Sequence, residues 1–189
     1  LGFDGVDINM GCPDRSIMKQ GAGASLIKNP TLAQELIAAL REGAGGLPVA
    51  VKTRLGTHSI DEMDGWIGAL LSAKPDVLIV HGRTVKEMSK VPAHWDCIGR
   101  AASMAHEAGV LCVGNGDVVS VAQGTALAQQ HGVDGYMVGR GIFHDPWLFG
   151  EHGNQEHEPH ERLELLLKHT DAWVTHWGGH LPAGRQVKS

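Results

Sequence analysis

The sequence predicts an α/β fold in which the strands of one parallel sheet alternate with helices. Five apolar segments of strand length are separated by segments with helical periodicity, and polar or glycine-rich residues follow each strand segment. The strand segments cover residues 6–9, 49–54, 77–80, 110–113 and 135–138, and their centres lie 43, 28, 34 and 24 residues apart. This spacing is typical of repeated βα units, whose strands end at the same edge of the sheet.

The composition is that of an ordinary globular protein, since 42% of the 189 residues are hydrophobic and 20% are charged. No apolar run approaches the ~20 residues that a membrane span needs, so we expect no membrane partner. The three cysteines form no Cys-x-x-Cys pair, which argues against a zinc ribbon and a disulfide framework and favours a reducing cytoplasm. The net charge of −5 by itself argues against RNA binding, although a local basic face remains compatible with it.

The first strand segment leads directly to a cysteine. Val6 and Ile8 alternate with polar residues as in a strand, and the pattern then breaks at Gly11 and Pro13, on either side of Cys12. Ligands and chemistry collect at the carboxyl ends of parallel strands, so Cys12 is a candidate acid or nucleophile. The alternative is a small buried hydrophobic residue, because free cysteines are among the most buried residue types.

The next units place cations at strand ends. A helical segment at residues 22–41, with a break and restart at Asn29-Pro30, precedes the strand at 49–54, whose Lys52 and Arg54 face the same side. A helix at 60–72 then leads to the strand at 77–80. The polar residues His81 and Arg83 follow that strand.

The last two units carry a predicted phosphate site. A helix at 95–108 leads to the strand at 110–113, a second helix at 118–130 follows, and the final strand is at 135–138. Glycines let the backbone approach an anion, and the N-termini of helices attract the anion. The guanidinium group of an arginine adds a positive charge with two parallel N–H donors. The predicted phosphate ligands are Asn115, Gly116, Asp117, Gly139 and Arg140, and they imply a nucleotide-like cofactor with one phosphate.

Beyond residue 150 the chain changes character. Residues 151–161 read as a polar linker, residues 160–177 as an amphipathic helix, and residues 182–189 as an unstructured end. We therefore divide the chain into a domain at 1–150 and a second segment at 151–189. The histidines His152, His157 and His160 lack the spacing of a metal site, so no metal is predicted.

Several motifs together resemble one enzyme family. They are Asp-Ile-Asn-Met-Gly-Cys-Pro at 7–13, Lys-Gln-Gly-Ala-Gly-Ala at 19–24, Val-Lys-Thr-Arg at 51–54, Val-His-Gly-Arg-Thr at 80–84, Gly-Asn-Gly-Asp at 114–117 and Met-Val-Gly-Arg-Gly at 137–141. In this order they closely resemble the motifs of the tRNA-dihydrouridine synthases, FMN-dependent (β/α)8 TIM-barrel enzymes that reduce uridine in tRNA. The resemblance implies the last five βα units of such a barrel, followed by the start of a C-terminal helical tRNA-binding domain. Since three strands precede the first motif in that family, we expect the sequence to be a fragment.

The resemblance also implies residue roles. Cys12 would be the proton donor, Lys52 and His81 would contact the flavin, and Asn9 would hold the edge of the uracil. Arg54 would meet uracil or phosphate, and Arg83 would serve the flavin or the tRNA. NADPH would load the flavin, which would pass a hydride to C6 of uracil while Cys12 protonates C5. The chain departs from the family at Glu87-Met88-Ser89, where Gln-x-Tyr is common.

Two other functions fit the same residues. One is another FMN-dependent barrel acting on a small pyrimidine, such as a dihydroorotate or dihydropyrimidine dehydrogenase. The other is an inactive remnant that binds RNA without catalysis. Bound flavin would separate the remnant from both enzymes.

Overall fold

A computed structural model of the chain describes residues 2–150, 153 and 155–177. Its centre is a sheet of five parallel strands in sequential order. The strands are β1 (Val6–Met10), β2 (Val49–Arg54), β3 (Val77–His81), β4 (Leu111–Asn115) and β5 (Gly135–Met137). Their register pairs Arg54 with His81, His81 with Asn115 and Asn115 with Met137. The polar residues at the strand ends therefore lie along one edge of the sheet.

Helices connect the strands. The longer ones are α2 (Pro30–Gly43), α3 (Met63–Ser72), α4 (Trp95–Glu107), α5 (Val121–His131) and α7 (Pro159–Trp177), and the short ones are α1 (Arg15–Lys19) and α6 (Gly141–His144). Two 3₁₀ helices, Gly23–Lys28 and Ile60–Glu62, precede α2 and α3. The side chain of Asn29 accepts a hydrogen bond from the N–H of Leu32 and caps α2, whose first residue is Pro30.

The core lies between one face of the sheet and the helices. On β2, Val49, Val51 and Thr53 are fully buried, whereas Lys52 points to the opposite face. Buried side chains from the surrounding helices pack on the first face, and they include Ile37, Ile67, Leu70, Ile98 and Ala101. This is the arrangement of five βα units of a (β/α)8 TIM barrel, and the predicted fold class is confirmed.

The predicted elements agree with the structure except at their ends. All five strands and the four connecting helices are confirmed, and the break at Asn29-Pro30 separates a 3₁₀ helix from α2. The helix predicted at 118–130 begins only at Val121, because Ser120 is extended and its hydroxyl accepts a hydrogen bond from the N–H of Gln123. The short helices α1 and α6 were not predicted.

Backbone contacts divide the chain into two compact units, residues 1–153 and 154–189. In the second unit, the predicted helix at 160–177 is confirmed as α7. Its apolar residues Leu163, Leu166, Leu167, Val174 and Trp177 are exposed. His152 and the end predicted as unstructured, residues 182–189, lie outside the described residues.

Within the described part of the chain, no helix is both long and apolar enough to cross a membrane. The same residues contain no cluster of three or more His, Cys, Asp or Glu side chains that could hold a metal ion.

Candidate active site

A cavity of about 490 Å³ opens at the carboxyl edge of the sheet, beyond the ends of β2 to β5. Eight predicted site residues line it: Arg54, His81, Arg83, Asn115, Gly116, Asp117, Gly139 and Arg140. The predicted residues Asn9, Cys12 and Lys52 lie on the two neighbouring strands β1 and β2 and the turn after β1, outside this lining. The structure therefore gathers the predicted phosphate ligands in one place.

Two backbone segments that line the cavity carry N–H groups without a partner among the described residues. The N–H groups of residues 116–118 and 139–141 donate no hydrogen bond to any other described residue. The side-chain amide of Asn115 donates to the carbonyl oxygen of Met137 at 2.9 Å and ties the end of β4 to the end of β5. Two rows of free donors on adjacent loops suit an anion.

Gly116 allows its loop to pass close to a neighbour. Its φ is +135°, and a Cβ at this position would lie 2.6 Å from the Cβ of Ala93. Any side chain would therefore push the loop away from the cavity wall. The indole N–H of Trp95 donates to the carbonyl oxygen of Gly116 at 3.1 Å and fixes the loop from behind.

Arg140 is the exposed cation of the cavity. About two thirds of its side-chain surface is accessible, and its Nη2 lies 3.8 Å from Oδ1 of Asp117. Burial alone would raise the pKa of Asp117, but hydrogen bonds from Arg83 and from the N–H of Ala93, together with the charges of Arg83 and Arg140, hold this pKa below its usual value. Asp117 is therefore ionised and pairs loosely with Arg140, whose side chain stays largely exposed at the cavity.

Arg83 is buried beneath the cavity, with 3% of its side chain exposed. Its Nε donates to the carbonyl oxygen of Val91 at 2.6 Å, its Nη1 contacts Nε2 of His81 at 3.2 Å, and its Nη2 donates to Oδ2 of Asp117. All three nitrogens of the guanidinium group are thus engaged within the protein. Its predicted contact to flavin or tRNA stays a prediction.

His81 lines the cavity as a neutral ring. Burial, followed by the charges of Arg54, Lys52 and Arg83, lowers the pKa of His81 to about 3, against a smaller opposing effect of Asp117. The imidazole therefore carries no charge at physiological pH.

Arg54 connects three loops. Its Nε donates to the carbonyl oxygen of Gly11 at 3.0 Å, and its Nη1 donates to those of Thr84 and Met88 at 3.0 and 2.9 Å. Its Nη2 makes no hydrogen bond to a described residue, and Arg54 lines the cavity. The residue before Cys12 is thus joined directly to the cavity wall.

The turn that presents Cys12 is fixed from both sides. The side-chain oxygen of Asn9 accepts hydrogen bonds from the N–H groups of Gly11 and Cys12, both at 3.0 Å. The carbonyl oxygen of Cys12 accepts from the N–H of Ala24 at 2.9 Å. Gly23, with φ at +60°, approaches so closely that a Cβ there would lie 2.8 Å from the same carbonyl oxygen. The half-buried thiol is consequently held at a defined position.

Lys52 lies opposite Asn9 in the register of β1 and β2. Burial, and then the neighbouring charge of Arg54, lowers the pKa of Lys52, while Asp7 on the same face of the sheet raises it. The two residues place a cation and an amide side by side near Cys12.

Sequence reasoning missed several residues of the site. Ser89, Val118, Val119, Gly141 and His144 also line the cavity. Glu87 was noted only as a departure from the family, yet its carboxylate accepts from the N–H and hydroxyl of Thr84 and contacts His94 at 2.9 Å. The pattern Thr84-x-x-Glu87 is the sequence signal of such a reciprocal cap.

A family model described as dihydrouridine synthase matches residues 1–180. A probable tRNA-dihydrouridine synthase of Staphylococcus aureus strain Mu50 is 45% identical over 171 residues, which are 89% of this chain and 51% of that protein. Probable tRNA-dihydrouridine synthase 2 of Bacillus subtilis strain 168 is 46% identical over 173 residues, which are 90% of this chain and 52% of that protein. The chain therefore spans about half the length of these curated relatives.

Proposed function

Since this chain belongs to the dihydrouridine synthase family, we propose that it carries the reaction centre of an enzyme that reduces uridine in tRNA to 5,6-dihydrouridine. The proposed cofactor is FMN, the proposed hydride donor is NADPH, and a cytoplasmic location follows from a tRNA substrate. The names of the relatives support this substrate. One observation in the structure carries the proposal: Arg54 joins the turn before Cys12 to the wall of a cavity suited to an anion.

The anion end of the cavity fits the phosphate of FMN. The free N–H groups of residues 116–118 and 139–141 would bind phosphate oxygens, and Arg140 would add a charged, forked contact. Gly116 lets this loop pack closely against Ala93, because a Cβ at Gly116 would lie 2.6 Å from the Cβ of Ala93. Lys52 would stabilise negative charge on the ring of the flavin, and His81 would contact the ring as a neutral group.

The residues around Cys12 would protonate and orient the substrate. When bound and reduced, the flavin supplies a hydride to C6 of uracil. Cys12 donates the proton that C5 takes up, and its thiolate recovers a proton from solvent. The oxygen of Asn9 is occupied by two backbone N–H groups, so its amide nitrogen is the part that can donate to a uracil carbonyl.

A uridine within folded tRNA must leave its stack to reach this edge of the sheet. Exposed cations in the connections after β1 and β3 would contact the RNA backbone, and these are Arg15, Lys19, Lys28, Lys86 and Lys90. In this proposal, the unit that contains α7 begins a helical tRNA-binding domain, and residues 1–150 form the flavin-binding part.

The test replaces Cys12 by alanine in the protein expressed from its full reading frame. Cys12→Ala should still bind flavin and accept a hydride from NADPH, but form dihydrouridine about 10²–10⁴ times more slowly, the usual contribution of a positioned acid. Mass spectrometry of the tRNA nucleosides and the visible absorbance of the flavin measure the two steps separately.

Cys97→Ala, on the half-buried surface of α4, is the matched control and should keep normal activity. A Cys12→Ala protein that modifies tRNA at the normal rate would refute the role of Cys12. A full-length protein without flavin would refute the enzyme itself.

A further inference from the structure

The cavity contains a contact whose chemistry is unambiguous. Arg83 Nη1 lies 3.2 Å from Nε2 of His81. A guanidinium group has only donors and stays protonated in proteins, so Nε2 of His81 must accept this hydrogen bond. In a neutral imidazole with one accepting nitrogen, the other nitrogen carries the hydrogen. His81 is consequently the tautomer that is protonated on Nδ1.

Arg83 is held in this position by more than His81. Its Nη2 donates to Oδ2 of Asp117, and its Nε donates to the carbonyl oxygen of Val91. Asp117 is fixed in turn, because Oδ2 also accepts from the N–H of Ala93 at 2.9 Å. These partners lie after β4 and in the loop after β3, so both loops prevent the guanidinium group from turning away.

Nδ1 of His81 faces a different environment. It makes no hydrogen bond within the described residues, although the ring lines the cavity. The opposite edge of the ring faces the protein, since a Cβ on Gly116 would lie 3.4 Å from Cδ2 of His81. The free N–H is therefore available to a molecule in the cavity.

We propose that Arg83 and Asp117 are positioning residues that hold His81 as its neutral Nδ1–H tautomer. A ligand in the cavity then meets a permanent hydrogen-bond donor and not a group that exchanges protons. The ligand must offer an acceptor there, such as a carbonyl oxygen or a ring nitrogen. Only the identification of that acceptor with FMN rests on the proposed function.

The charges around the ring support a fixed neutral state. Arg54 and Lys52 on β2 and Arg83 after β3 all oppose a proton on Nε2, and Asp117 is the anion that favours it. His81 should therefore stay neutral throughout the range in which the protein is folded and active.

Nitrogen-15 NMR of the full-length protein, labelled at histidine, reads the tautomer directly. His81→Gln identifies the signal of His81 by its loss. In the ligand-free protein we expect the Nδ1–H pattern, unchanged between pH 5 and 8. In Arg83→Met the Nε2–H form should appear and the pH midpoint of His81 should rise, because a donor and a neighbouring cation are both lost.

Two further variants keep the test decisive. Asp117→Ala removes the acceptor that holds Arg83 Nη2, so it should also produce the Nε2–H form and replaces Arg83→Met if that variant does not fold. Arg100→Met is the matched control, since Arg100 forms an exposed ion pair with Asp64 and should leave His81 unchanged. A native protein with the Nε2–H pattern, or folded variants that keep the Nδ1–H pattern, would overturn the proposal.

Addition of FMN separates this inference from the proposed function. A change in the chemical shift of the Nδ1 proton on binding supports a contact between His81 and the cofactor. If FMN binds and that proton does not shift, the donor faces another ligand and this part of the proposal is wrong. If FMN does not bind at all while the tautomer is as expected, the proposed function fails and the role of Arg83 stands.

Discussion

At the scale of single residues, the site contains two buried arginines that make contacts within the protein and one exposed arginine. Arg54 and Arg83 direct their donors to backbone carbonyls, to His81 and to Asp117. Arg140 keeps most of its surface exposed beside the free N–H groups of two loops. Removal of a buried arginine would leave several acceptors unpaired, whereas removal of Arg140 would cost only a long, exposed ion pair with Asp117 and should mainly affect ligand binding.

Arg140→Ala should weaken the affinity for FMN by about 1.5 to 3 kcal/mol, the range for a hydrogen bond to a charged group. Riboflavin lacks the phosphate and should lose far less affinity. Titrations followed by flavin fluorescence measure both, with Arg100→Ala as the control for loss of an exposed arginine elsewhere. Equal losses for the two flavins would place the phosphate away from Arg140.

Asn9 has one observed role, which is to hold the turn, and one proposed role, which is to contact uracil, and substitutions can separate the two. Asn9→Asp keeps an oxygen for the N–H groups of Gly11 and Cys12 but loses the amide donor, whereas Asn9→Ala loses both. We expect Asn9→Ala to lower the free energy of unfolding by about 0.5 to 1.5 kcal/mol, because the backbone N–H groups of Gly11 and Cys12 lose their acceptor. Asn9→Asp should unfold nearly as the native protein does and still reduce uridine slowly.

Urea denaturation and tRNA modification assays provide the two measurements. The same loss of stability in both variants would show that the acceptor oxygen does not hold the turn. Normal activity of Asn9→Asp would show that its amide does not contact the substrate.

The sequence predicted most of the residues that meet at the cavity. It did not predict the partners that each of these side chains contacts. Residues 115–117 and 139–140 could be placed together because parallel strands align their carboxyl ends. The contacts of Arg54 could not be predicted, since its partners Gly11 and Met88 lie 43 and 34 residues away in the chain. Such long-range hydrogen bonds depend on how the loops fold against each other, and a local sequence pattern does not predict how loops pack.

At the scale of secondary structure, the connections after the strands do more than join elements. After β1, α1 begins at an aspartate cap, Asp14, and the 3₁₀ helix Gly23–Lys28 returns the chain to the carbonyl oxygen of Cys12. Helix α1 has only five residues and α6 only four, too few for an apolar period to be visible in the sequence. The cap at Asp14 was the available local signal for α1.

Two glycines in this connection differ in a testable way. Gly21 and Gly23 both have positive φ, at +76° and +60°, but a Cβ meets nothing within 4 Å at Gly21 and the carbonyl oxygen of Cys12 at Gly23. Both substitutions to alanine should lose about 1 kcal/mol through the backbone. Gly23→Ala should lose about 1 to 3 kcal/mol more, because the turn at Cys12 must move.

Thermal denaturation of the two variants isolates the effect of the close contact, since the conformational penalty is shared. Dihydrouridine formation should fall in Gly23→Ala and stay near normal in Gly21→Ala. Equal stability and activity of the two variants would mean that the contact at Gly23 does not position Cys12.

At the scale of the whole molecule, the sheet has two strands with a free side. Among the described strands, β1 pairs only with β2 and β5 only with β4. An unpaired strand edge invites association with other chains. The matched segment is about half of each relative, so the remaining length in them is sufficient for further strands.

Residues 1–189 expressed alone should therefore bind FMN poorly and associate, whereas the protein from the full reading frame should be yellow. Size-exclusion chromatography with detection of flavin absorbance compares them directly. A monomer of residues 1–189 that holds one flavin per chain would show that the five-stranded sheet needs no additional cover.

The sequential strand order also matters while the protein is being made. Each strand pairs with the one synthesised just before it, over separations such as Val6 to Val49 and Val113 to Gly135. At about 5–20 residues per second, a ribosome completes the next strand within roughly 1 to 9 s of the previous one. Within the described sheet, a nascent chain can therefore add one strand at a time to the strand made just before it.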